Sequence, residues 1–175
     1  MTTPLRTCAK NRGFTLAELL VYIGIMALAL TAIVVLLINA THIVRRVQES
    51  NDVRTSATVA LERIGREAKR AVSVSIAEST LGTNPGVLAL HSRDDAGNPL
   101  HVRFTRDGAG GLTIFYDGVS RGSLVSGSVS VSEIVFHRTH NIRSESVRIQ
   151  LTLSHRNAPE RRETFFTSAV LRGSY

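Results

Sequence analysis

Residues 19–38 read LLVYIGIMALALTAIVVLLI, twenty positions without a charge. At ~1.5 Å per residue a helix of this length covers roughly 30 Å, the thickness of a bilayer's hydrocarbon core. The direct reading is one transmembrane helix. The stretch is too long for a secretory signal peptide, whose apolar region runs to roughly 7–15 residues and is followed by a cut at small residues. Upstream, Arg6, Lys10 and Arg12 stand without any acidic residue in positions 1–13, so the chain opens with a polar, cationic leader. Behind the span, Arg45, Arg46 and Arg54 roughly balance those cations, and flanking charge leaves the orientation open.

The junction between leader and span, residues 10–20, reads KNRGFTLAELL. A basic stretch ends in Gly13, Phe14 follows, and a lone carboxylate, Glu18, sits at the lip of an otherwise apolar helix. Two readings of Glu18 stand on physical grounds. It is a helix-end carboxylate at headgroup level, near the positive end of the macrodipole, or it is an ionisable group in a membrane helix, which costs a few kcal/mol and calls for a partner. The junction resembles the prepilin leader of the type IV pilin and type II secretion pseudopilin family. In that family a membrane aspartyl peptidase cuts after the glycine and methylates the new N-terminal phenylalanine.

The resemblance implies cleavage between Gly13 and Phe14, N-methylation of Phe14, and Glu18 as the fifth residue of the mature chain. There the family's carboxylate meets the N-terminal amine of a neighbouring subunit, and two charges that are each costly in an apolar fibre core neutralise one another. It also implies a single pass through the bacterial inner membrane, with the leader cytoplasmic and the rest periplasmic or extracellular, before entry into a pilus or pseudopilus. The partners implied are prepilin peptidase, other pilin or pseudopilin subunits, the inner-membrane assembly platform and membrane lipid. Cys8 is the sole cysteine, so no intramolecular disulfide forms, and the absence of an apolar run before it argues against a lipoprotein anchor. Removal of the leader takes the charge from 21 basic against 14 acidic residues to 18 against 14. A mature chain without cysteine leans toward a minor or pseudopilin-type subunit.

Beyond residue 38 the helical period persists. Ile43, Val47, Val53, Ala57, Leu61, Ile64, Ala68 and Val72 recur mostly at three- or four-residue spacing, with arginines between them. No proline interrupts residues 14–72, so a continuous helix of about 88 Å is permitted; any kink is left unplaced, with Gly24 and Gly65 only weaker candidates for a soft spot. The charges Glu62, Arg63, Arg66, Glu67, Lys69 and Arg70 read as a solvated face with local pairs such as Glu62 to Arg66. Without interleaved aromatics they do not read as a nucleic-acid surface.

After a loop with Gly82, Asn84, Pro85 and Gly86 the period becomes two. Leu100, Val102 and Phe104 alternate with His101, Arg103 and Thr105, and Leu112, Ile114 and Tyr116 with Thr113, Phe115 and Asp117. Asp117-Gly118 is suited to a two-residue hairpin turn. Further strands are expected over 87–91, 129–137, 147–154 and 164–171. The fold class expected is therefore α+β: a long N-terminal helix, half in the membrane and half amphipathic, packed on an antiparallel sheet, a layout that resembles the pilin fold. The expected divisions are the leader at 1–13, the membrane half at 14–38, the amphipathic half at 39–72 and the β-rich head at 73–175. The closing ETFFTSAVLRG of residues 163–173 loosely resembles the last strand of minor pilins and J-type minor pseudopilins.

The head offers little chemistry. His101, His137 and His155 lie on or beside strands without carboxylates at metal-ligand spacing, and no HExxH, P-loop or dinucleotide fingerprint occurs. No catalytic residue and no cofactor are expected. Asp94, Asp95 and Asn98 make an oxygen-rich loop of the kind that holds calcium in some pseudopilins. The spaced acidic ligands of a dedicated calcium loop are missing, and the preferred reading is a turn closed by Gly97 and Pro99. The Gly108–Gly111 cluster reads as hairpin punctuation. The function expected is a minor subunit of a type IV pilus or a type II secretion pseudopilus. A single-pass anchored binding or sensor domain, or a DNA-uptake pilin, is the alternative.

Overall fold

The computed structural model describes residues 15–141 and 144–172. The chain divides into two units at Arg45 and Arg46. The described residues of the first unit are helical. Helix α1 is assigned over Leu16–Arg70, without a break at Gly24 or Gly65, and its apolar side chains between Leu16 and Val44 are exposed. Their composition rather than their packing makes sense of that exposure, because this helix is long and apolar enough to cross a membrane. The two threonines of the stretch turn inward on the backbone. Thr31 Oγ1 donates to the carbonyl of Ala27 at 2.8 Å and Thr41 Oγ1 to that of Ile38 at 2.7 Å, which leaves neither hydroxyl searching for a partner in apolar surroundings.

In the second unit the same helix buries Val53, Ser56, Ala57, Ala60, Ile64, Glu67 and Ala68, and Ala71 just past its end is buried as well. Small residues dominate this stripe, so the helix backbone comes close to the strands. The observed stripe corrects the expected one at four positions. Ile43, Val47 and Val72 are exposed and Leu61 is only partly covered, because the spacing that begins at Val53 continues through Ala57, Ala60 and Ile64. The helix ends at Arg70, two residues before the expected limit, where the chain turns into a short strand.

Among the described residues eight strands follow: β1 Ser73–Val74, β2 Leu88–Arg93, β3 Pro99–Arg106, β4 Leu112–Tyr116, β5 Val119–Ser123, β6 Val129–Asn141, β7 Ser144–His155 and β8 Ala158–Val170. They form two antiparallel sheets rather than one, ordered β1-β2-β3-β4-β5 and β6-β7-β8, each following chain order. Asp117 and Gly118 have φ of 49° and 81°, the backbone of the expected two-residue turn between β4 and β5. Strand β6 departs from simple alternation. Its register with β7 shifts between Val131 and Glu133, and this bulge moves the inward positions from Val129 and Val131 to Ile134 and Phe136. Without the extra residue, strict alternation would turn Glu133 into the core.

Residues of α1 and of both sheets contribute to one core cluster, with Phe104, Phe136, Ile64 and Leu151 among its largest wholly buried members. The outer edge of β6 is closed by loop backbone. Gly82 and Gly86 donate to the carbonyls of Phe136 and Ile134, both at 2.8 Å, and Ile134 N–H donates to Asn84 Oδ1 at 3.2 Å. Glycine is required at 86, since a Cβ there would stand 2.9 Å from the Ile134 carbonyl oxygen.

Candidate functional site

The first candidate lies at the start of α1. Thr15 precedes the helix as its cap, and its Oγ1 accepts the backbone N–H of Glu18 at 3.3 Å. Thr15 and Glu18 thus have the spacing of a capping box. Glu18 lies in the first turn with its side chain exposed, where the helix's free N–H groups favour a negative charge. Gly13 and Phe14 fall outside the described residues.

The second candidate centres on Glu67, whose burial was not anticipated. Glu67 is 5% exposed. Arg63 Nη2 donates to the Tyr116 hydroxyl at 2.6 Å and lies 3.3 Å from Glu67 Oε1, while the Tyr116 hydroxyl donates to Glu67 Oε1 at 2.8 Å. The carboxylate is thereby both paired and hydrogen-bonded, the condition for keeping a charge out of water. Burial, followed by donation to Glu67, pushes the Tyr116 phenol above its ordinary value, against the opposing pull of Arg63. The pair found along the helix is therefore Arg63 with Glu67, in place of the expected Glu62 with Arg66. The spacing of Ala60, Ile64, Glu67 and Ala71 could have revealed it, because Glu67 continues the buried stripe. These groups line a cleft of about 270 Å³ whose rim carries Arg70 and Asp95, paired at 2.5 Å.

At the turn after β2, Asp94 accepts the N–H groups of Ala96 at 2.9 Å and Asn98 at 2.7 Å, and the Asn98 amide at 3.0 Å. Bonding to Asn98 above all holds its carboxyl below the ordinary range. The carboxylate closes its own turn, and Gly97 supplies the positive φ of 86° that this turn needs. Of the histidines, His101 stacks edge-on against His91 at 4.5 Å between ring centroids, and His155 Nε2 lies 3.8 Å from Asp52. His137 is on β6 with its side chain exposed. Among the described residues no three His, Cys, Asp or Glu side chains converge in a way that holds a metal ion.

A helix long and apolar enough to cross a membrane, capped at its start and joined to an α+β unit with a single core, fits a membrane-anchored protein. The N-terminus adds a motif. The family model described as the Prokaryotic N-terminal methylation motif matches residues 8–38, a segment of the kind that type IV pilin and pseudopilin-type prepilins carry. Comparison with curated proteins and with solved structures returns no match.

Proposed function

We propose that the chain is a minor subunit of a type IV pilus or a type II secretion pseudopilus. It enters the inner membrane once, with the leader cytoplasmic and the head on the far side. Prepilin peptidase cuts between Gly13 and Phe14 and methylates Phe14, and the assembly platform then draws the mature chain into a filament. Residues 1–13 are the leader, 14–38 the membrane half of the helix, 39–72 its amphipathic half and 73–175 the head. The single observation that carries this reading is the methylation-motif match over residues 8–38, and the exposed apolar helix in the same stretch agrees with it.

In the filament Glu18 pairs with the amine of a neighbour's Phe14. Its place in the first helical turn supports this role, because the free N–H groups at a helix start favour a negative charge there. The measurement is the intact mass of the protein taken from its native membranes. A mass lacking residues 1–13 and carrying one added methyl group is expected, and a chain that keeps the leader overturns the reading in favour of an anchored domain. Glu18→Ala is expected to be cut as wild type is, yet to enter filaments poorly. Equal incorporation of that variant removes the assembly role.

A further inference from the structure

Four strands bound the two sheets, and their edges are not alike. Strand β1 has two residues, β5 has five, and β6 is closed by the loop around Gly82 and Gly86. Strand β8 has thirteen residues and pairs only with β7. Among the described residues no other backbone bonds to its outer edge. An open edge of this length is a template for another strand unless charge, proline or a bulge spoils it.

Only half of β8 is spoiled. Residues 158–163, APERRE, carry the proline and four charges, and Ser50 and Arg54 of α1 bind Glu163 at 3.1 and 3.3 Å. Residues 164–170, TFFTSAV, carry no charge, no proline and no register shift. Here Phe166 is 61% and Val170 46% exposed. Past the Glu163 contacts a groove of about 620 Å³ opens between α1 and β8, with Leu61, Gly65 and Phe166 as its apolar surface. One end is cationic. Arg66 and Lys69 line it without an ion-pair partner among the described residues, and Glu62 is the lone acid.

We propose that residues 164–170 of β8 accept an extended segment from a different protein chain as a fourth strand of this sheet. The occupant is an uncharged, strand-forming stretch that ends in a carboxylate, which meets Arg66 and Lys69. Main-chain hydrogen bonds to the open edge hold it, and the cations choose its sequence and direction. A second copy of this chain is the poorer fit. Its net charge is +7 and its own open edges carry Arg121, Arg161 and Arg162, so like charges would be brought together. The inference stands independently of filament assembly, because it rests on the edge and the groove alone.

The test uses the full chain in detergent micelles and the peptide Thr-Val-Thr-Val-Thr-Val-Asp, acetylated at its N-terminus and amidated at its C-terminus so that the Asp side chain is its only charge, with hydrogen exchange read residue by residue. The expected result is saturable slowing of exchange at 164–170, with binding about tenfold weaker for the same peptide ending in Lys. In Arg66→Glu/Lys69→Glu, both exposed positions, the preference is expected to invert. No slowing, slowing elsewhere, or an unchanged preference in that variant each overturns the proposal. Slowing at 164–170 that grows with protein concentration in the absence of peptide also overturns it, because the second copy is then the occupant.

Discussion

Glu67 shows how one side chain ties the helix to the first sheet. Its carboxylate is enclosed, and its two partners, Arg63 and Tyr116, hold each other as well as it. Glu67→Ala strips a bond from both, and a loss of about 1–3 kcal/mol is expected in urea unfolding. Glu67→Gln keeps an acceptor for the Tyr116 hydroxyl and is expected to lose less. Tyr116 itself predicts a response to alkali. Because its phenol is raised above 10.0 in the folded chain, that state holds the phenolic proton more firmly than the unfolded one. The resulting stabilisation is complete below the unfolded value and is lost as pH rises through the folded one. Phenolate absorbance should therefore show one tyrosine titrating late, and Tyr116→Phe should abolish that step and flatten the alkaline decline in stability.

At the scale of elements, the helix stripe and the strand alternations account for what could be read in advance. Val102, Phe104, Ile114, Ile149 and Leu151 sit inside, as a period of two requires. The Asp117-Gly118 turn was legible because few residue pairs tolerate two positive φ values in succession. The bulge in β6 was not, since an extra residue leaves no mark on a run of Val, Ser and Glu until a partner strand fixes the register. Nor was the split into two sheets, which depends on long-range pairing. At the N-terminus the motif matched over residues 8–38 was legible in the sequence, whereas Glu67 was not, because a charge on an amphipathic helix is ordinarily solvated and only its spacing with Ala60, Ile64 and Ala71 marks it as buried. The corrected stripe makes a sharp prediction. Ala60→Leu, at a wholly buried position, should destabilise by about 1–3 kcal/mol through overpacking, while Val59→Thr next to it, on the exposed side, should stay within about 0.5 kcal/mol. Thermal unfolding of the two variants in parallel checks this.

For the whole molecule, every member of the core cluster lies at or beyond Val53, so the second unit contains its own source of stability. A fragment of residues 46–175 is expected to dissolve without detergent and to unfold in one cooperative transition, followed by circular dichroism. Two transitions, or precipitation, would show that residues before Arg46 are needed for the fold. The order of the sheets carries a further consequence. Since β1 to β5 and β6 to β8 each pair with their neighbours in sequence, both meanders have low contact order and form quickly as successive hairpins. The slow event is the union of the two with the helix, which closes a loop from Val53 to Leu171. A chain interrupted between β5 and β7 would thus hold the first ribbon yet lack the second sheet's share of the core around Ile64, an easy target for chaperone or protease.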